Sequence, residues 1–328
     1  MGADDPALAI DIGGTKLAAG LVEPGGRLIS WAQIPTPRDV DGEHLWRTLE
    51  SLATRVLAEA GVQPPAGVAG IGCGCGGPME WAEGRVSPLN IPAWRSFPLR
   101  DRLAERFGGL PVRLHNDAIC VAVGEHWRGA GRGTRTMLGM VVSTGVGGGL
   151  VLDGHLINGA TGNAGHIGHV VVDPDGPPCV CGGRGCLEAI ARGPALVEWA
   201  QAQGWRPGRA DVSAKDLSGD AAQGHPAGRA AMHRAGRALG IAIASATHLC
   251  DLQVVAIGGG LSQAGSLLFD PLEEALRAHV GLAFARDVRV VPAELGQSAG
   301  LVGAAALLFA ADRYWPQEPD GAVERAGR

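Results

Sequence analysis

At 328 residues, with 46% apolar residues and 53 glycines, the chain can bury a large core and is expected to form two domains. A net charge of −5 gives no basic footprint for nucleic acid, and no apolar run reaches the length that spans a bilayer. The acidic start MGADDPALAI has no basic region followed by a hydrophobic one, and the seven cysteines are odd in number, so a reducing cytoplasm is the expected location.

In chain order, residues 8–21 read as an apolar strand, a Gly-rich turn and a second strand. A turn at Glu23-Pro24-Gly25-Gly26 precedes a third strand near residues 28–31. Residues 41–60 place Leu45, Leu49, Leu52, Val56 and Leu57 at helical spacing, with Gly61 as the stop. A Gly-punctuated strand at 68–75, a loop through Gly77-Pro78 and Asn90-Ile91-Pro92, a helix at 98–107 and the strand PVRLHND follow. Residues 140–157, MVVSTGVGGGLVLDGHLI, repeat the opening order of strand, Gly turn and strand. Such repetition predicts two copies of one supersecondary unit, with both Gly turns at the cleft between them. A third Gly-rich strand end lies at 254–265, between helices expected at 225–249 and 267–278. Residues 298–311 predict a buried helix, and residues 313–328 a polar tail. The class is α/β.

Asp11-Ile12-Gly13-Gly14-Thr15-Lys16 is no Walker loop, because G-x-x-x-x-G-K-[ST] does not occur in the chain. It offers a strand-ending carboxylate, exposed amides, a hydroxyl and a cation, which suit a nucleotide phosphate tail with Mg²⁺. A Gly-Gly hairpin alone is more often only a turn, and Lys16 alone could be a solvated lysine. Further glycine turns at 143–149 and 258–260 favour a phosphate and nucleoside cleft. His115-Asn116-Asp117 ends a strand and opens a helix. Its local sequence fits an N-cap as well as a base for phosphoryl transfer, and does not choose between them.

Residues 163–188 read NAGHIGHVVVDPDGPPCVCGGRGCLE, with Cys179, Cys181 and Cys186 inside eight residues of a Gly- and Pro-rich loop. His169 lies ten residues before the first of them, at the head of an expected strand Val170-Val171-Val172. Cys3His is a standard closed set for zinc, and a C-x-C pair is too short for an easy disulfide. Unrelated surface thiols are the alternative. Four protein ligands leave no open position, so the metal would be structural.

These motifs together resemble the ROK family of sugar kinases and regulators, within the actin-like ATPase superfamily. DIGGTK is similar to its phosphate turn, HNDA to its active-site N-D-A, and STGVGGG to its second phosphate turn. Residues 165–188 are similar to its signature G-[EH]-x-G-H followed by C-x-C-G-x-x-G-C-x-E. The resemblance runs over residues 8–311. It implies a two-lobed, ribonuclease H-like fold: a small lobe at 1–118 with 298–312, and a large lobe at 119–297 carrying the zinc loop. It implies an ATP-dependent transfer to the 6-hydroxyl of a hexose, with Asp117 as the base. Gly77, Asn90, Asn116, His166, His169 and Glu188 would bind sugar, with one ring nitrogen of His169 on zinc and the other toward the sugar. Asp11 would position Mg²⁺. Gly13, Gly14, Thr15, Lys16, Thr144 and Gly145 would hold phosphates, and Gly259 and Gly260 would lie against the nucleoside. Homodimers or homotetramers are usual in the family.

One position departs from the family's glucokinases, which carry Glu where this chain has His166. A histidine there, in AGHIGH followed by a DP-x-GP segment, resembles the bacterial N-acetylmannosamine kinase branch. Imidazole in place of an acceptor-only carboxylate changes which 2-substituent can be bound. His166 packed behind the site is the alternative, and glucose or another hexose the alternative substrate. Regulators of the family carry a helix-turn-helix ahead of the phosphate motif. Only seven residues precede Leu8, so that module is not expected. A metal-dependent hydrolase would need an open coordination position.

Overall fold

The computed structural model describes residue 2, residues 4–209 and residues 211–315. Its first sheet begins with β1 (Ala7–Ile12), β2 (Lys16–Val22) and β3 (Leu28–Pro35). Helix α1 (Gly42–Glu59) follows, its first turn capped by the Asp41 carboxylate, which accepts from the His44 amide at 2.6 Å. Its leucine stripe is buried against β2 and β3, as the spacing predicts. Then come β4 (Ile71–Cys75), a two-residue hairpin of β5 (Met79–Glu80) and β6 (Arg85–Val86), α2 (Leu99–Arg106) and β7 (Val112–Asn116).

Helix α3 (Asp117–Arg128) leads to the second sheet, which opens with β8 (Met137–Val142), β9 (Val146–Leu152) and β10 (His155–Leu156). Helices α4 (Leu187–Ala191), α5 (Gly193–Ala202), α6 (Ala214–Ala222) and α7 (Pro226–Cys250) precede β11 (Val254–Gly258). The chain closes with α8 (Ser266–His279), β12 (Arg289–Pro292), α9 (Ala299–Phe309) and α10 (Ala311–Tyr314).

The sheets run β3-β2-β1-β4-β7 and β10-β9-β8-β11-β12. In each, the first three strands are antiparallel and the last two join in parallel, so the expected duplication is real. The parallel strands of each sheet put their carboxyl ends at one edge, where ligands of open α/β sheets bind.

Helices α3 and α9 pack between the sheets. Helix α9, apolar on all sides, lies on β1 and β4 and against α3, while α3 also covers β8 and β9. Glycine sets these approaches: a Cβ on Gly124 of α3 would come within 2.5 Å of the Ala299 carbonyl oxygen. Helix α3, placed with the large lobe from the sequence, therefore packs on both sheets.

Two expectations change. Val170, Val171 and Val172 form no strand: a 3-10 turn occupies Ile167–His169, and a single bridge pairs Val171 with Cys186. The partner segment enters α4 at Leu187, so pairing stops after the bonds from Val172 N to Gly185 O and from Leu187 N to Val170 O. Of the tail expected from 313, Arg313 and Tyr314 belong to α10, and Tyr314 is fully buried. The rest of that tail, from 316, lies outside the described residues. Among the described residues no helix is long and apolar enough to cross a membrane.

Candidate active site

The parallel register of the first sheet sets Asp11, Gly74 and His115 side by side, with Ile12, Cys75 and Asn116 one step further along. Asp11 and Asp117, far apart in sequence, thereby reach one strand-end edge. Asp11 is 9% exposed and lies against the start of α9, where a Cβ on Gly300 would fall 2.8 Å from its Oδ2. Burial raises its carboxyl above the ordinary value, and the Lys16 ammonium at 3.8 Å partly offsets this.

Asp117 opens α3 and keeps part of its surface exposed. Enclosure by protein, then the nearby Asp11 charge, push its carboxyl up to about 7, against a hydrogen bond from the Ala118 amide at 2.8 Å. Asn116 is the N-cap, its Oδ1 accepting from the same amide at 3.0 Å. Asn116 is therefore the N-cap, and Asp117, the first residue of the helix, accepts from that amide through Oδ1. Gly76 and Gly77 run past this pair: a Cβ on Gly76 would lie 3.9 Å from Asp117 Oδ2, and one on Gly77 3.2 Å from Asn116 Nδ2. The Leu89 amide donates to Gly77 O, which ties the Asn90 loop to the same place. Asn90 in turn meets the first Gly turn, since a Cβ on Gly14 would fall 2.5 Å from Asn90 Cβ.

The turn itself is braced by a residue the sequence did not single out. The Thr36 hydroxyl donates to Gly13 O at 2.7 Å, and its amide donates to Thr15 O at 3.1 Å. Its signal, a lone threonine after the third strand, carries no spacing that marks it.

In the second sheet the glycines of 143–149 divide their work. Ser143, Thr144 and Gly145 form the turn between β8 and β9. Gly147 and Gly149 lie within β9 and let α3 approach, a Cβ on Gly147 coming within 2.7 Å of Ala118 Cβ. Glu188, in the first turn of α4, accepts from the Val146 amide at 2.8 Å, so it braces the second turn. Gly259 follows β11 at φ +90°, and a Cβ there would clash with the Val142 backbone. The third turn thus sits beside the second, with Gly260 near the Ser143 hydroxyl.

His169 Nδ1 lies 3.7 Å from Cys179 Sγ, Cys181 Sγ lies 3.7 Å from Cys186 Sγ, and the four ligand atoms all fall within 4.8 Å of one another. A tetrahedron with Zn–S bonds of about 2.3 Å has edges of about 3.8 Å, so the donor set fits zinc. With Nδ1 turned to the thiols, Nε2 is on the opposite side of the ring. The His166 and His169 rings stack at 6.2 Å. His166 is exposed, not packed behind the site.

Residues 7–311 match the ROK family. The chain is 35% identical to a glucokinase of Thermotoga maritima over 92% of this chain and 96% of that protein. It is 37% identical to an N-acetylmannosamine kinase of Escherichia coli over 92% and 97% of the two chains. A ROK family glucokinase of Streptomyces griseus, solved in complex with glucose and AMPPNP, superimposes with a TM-score of 0.79 at 34% identity, covering 92% of this chain and 98% of that one. The two-lobed α/β frame with paired strand-end Gly turns thus has close counterparts among sugar kinases. The chain belongs to the ROK family.

Proposed function

We propose that this ROK-family sugar kinase transfers the terminal phosphoryl group of ATP to the 6-hydroxyl of a hexose, and that the preferred hexose is N-acetylmannosamine. Asp117 carries the reading: a partly exposed carboxylate at the start of α3, just past β7, held at about 7 beside Asp11. A base tuned near working pH combines a useful ionised fraction with proton affinity. In this reading ionised Asp117 takes the proton as the sugar oxygen attacks the γ-phosphorus. The bond from that phosphorus to the bridging oxygen then breaks, leaving ADP with the electron pair.

Asn90, Asn116, His169 and Glu188 bind sugar hydroxyls, with Gly77 giving them close backbone approach. Gly13, Gly14, Thr15, Lys16, Thr144 and Gly145 hold phosphates, and Gly259 and Gly260 flank the nucleoside. Asp11 is the residue for the Mg²⁺ that accompanies ATP, and the ion supplies charge neutralisation when bound. Zinc on His169, Cys179, Cys181 and Cys186 supplies a fixed loop geometry, so that the ring reading the sugar is oriented by the metal. The lobes are 1–118 with 298–312, and 119–297, with the sugar and ATP meeting between them. Assembly is as a homodimer or homotetramer.

His166 supports the acetamido sugar, because exposed imidazole beside His169 can donate or accept where a carboxylate only accepts. Glucose is the second reading, favoured by the likeness to the Streptomyces griseus glucokinase solved with glucose. Turnover on N-acetylmannosamine and on glucose separates them: a large preference for glucose removes the acetamido reading.

A further inference from the structure

His115 is fully buried at the end of β7 and has no part in the chemistry above. Its ring is held on several sides. Nδ1 lies 2.8 Å from the Asn116 amide, which can only donate, so Nδ1 accepts. The proton of the neutral ring is then on Nε2, 2.6 Å from Asn158 Oδ1. Burial holds the imidazole at about 4, so the ring is neutral at working pH. The Trp81 ring packs on it at a centroid distance of 5.8 Å.

Asn158 begins the segment 158–166, which the Ala164 amide closes by donating to Asn158 O at 3.0 Å, and which delivers His166. Gly162, at φ +77°, is pressed on Trp81, where a Cβ would come within 2.6 Å of the Trp81 side chain. The segment is therefore fastened to the first half of the chain twice, through His115–Asn158 and through Gly162–Trp81. On its other side, the amide bound by His115 belongs to the residue preceding Asp117. One ring thus bonds both the amide of Asn116, the residue before the base, and the segment that carries the sugar-facing histidine.

We propose that His115 is a positioning residue: a neutral imidazole latch that joins β7 to 158–166 and fixes the spacing between Asp117 and His166. The inference rests on the roles given to those two residues under the proposed function. Reactive geometry of this kind is sensitive to displacements of about 1 Å. Loosening the latch should therefore lower turnover and sugar affinity. It should leave ATP alone, because the bonds of His115 and Asn158 run to each other, to the Asn116 amide and to the Ala164 amide, away from the three Gly turns.

The test compares His115→Phe, which keeps a ring against Trp81 but neither hydrogen bond, with His115→Gln, whose amide N–H reaches the Nε2 position. Asn158→Ala and the double variant His115→Phe/Asn158→Ala complete the cycle. Asn158 is only half-buried, so its variant folds even where the buried change is costly. Loss of one buried hydrogen bond predicts a drop of about tenfold in kcat/KM for the sugar, with KM for ATP within about twofold. The double variant should be no worse than His115→Phe, and His115→Gln should recover most of the loss. Additive losses, an equal rise in KM for ATP, or Gln no better than Phe would overturn the latch.

Hydrogen exchange of amides 158–165 without substrate is read on the same variants. The latch predicts about tenfold faster exchange in His115→Phe and Asn158→Ala, and unchanged exchange overturns it whatever the chemistry. Wild-type protein inert on every sugar would instead remove the functional reading and leave exchange to decide the latch.

Discussion

Replacing Asp117 by Asn keeps its shape and removes the ionisable group, and it should make the protein more stable while disabling it. The folded carboxyl stands at about 7 against an ordinary 3.8. A raised carboxyl holds its proton more tightly folded than unfolded. The resulting stability is present in full below 3.8 and is lost as pH rises through about 7, where the fold must carry a crowded anion beside Asp11. A gap of about 3 units at about 1.36 kcal/mol each sets a ceiling of about 4 kcal/mol. Water reaching the partly exposed side chain relieves some of it, leaving about 1–2 kcal/mol. Asp117→Asn should therefore unfold at a higher temperature than wild type at pH 8, with the advantage shrinking toward pH 5. Turnover should fall by roughly 10² to 10⁴ with sugar binding retained, and wild-type kcat should rise with pH through about 7. Thermal unfolding at both pH values, with sugar binding by calorimetry, reads this out. A variant that is less stable at pH 8, or that keeps its turnover, would refute the reasoning.

Cys181→Ser should lose zinc, since structural zinc is worth on the order of 10 kcal/mol of local folding, and raise KM for the sugar. Full metal content by mass spectrometry would mean that the ligand set is wrong. Thr36→Val removes the hydroxyl that braces Gly13 and should raise KM for ATP roughly fivefold with KM for sugar unchanged, as steady-state kinetics will report. His166→Glu should shift the ratio of kcat/KM for glucose over N-acetylmannosamine upward by about tenfold, and an unmoved ratio would take His166 out of substrate selection.

Much of this was legible where a pattern is local. The leucine stripe announces α1, the all-apolar run announces α9, and the repeated strand–Gly turn–strand announces the second sheet. The four zinc-type ligands are close in sequence, and the fold brings them together. Contacts set by sheet register were not legible. Nothing local says that Asp11 stands in line with His115, or that His115 finds Asn158, 43 residues away. The run Gly147-Gly148-Gly149 reads as one phosphate turn, yet Gly147 and Gly149 are small because α3 must fit against β9. Val170-Val171-Val172 has strand composition but no straight partner, and the loop around the thiols bends it away. Helix α6 went unread although Ser213 and Asp216 form a capping box, a signal available in the sequence.

The central claim is phosphoryl transfer from ATP to a hexose, and ADP release measures it most directly. Purified protein with ATP and Mg²⁺ is offered N-acetylmannosamine, N-acetylglucosamine, glucose and mannose in turn. The account predicts sugar-dependent ADP release, a 6-phosphate product and the highest kcat/KM on N-acetylmannosamine. ADP release that no sugar raises above the sugar-free rate would contradict it.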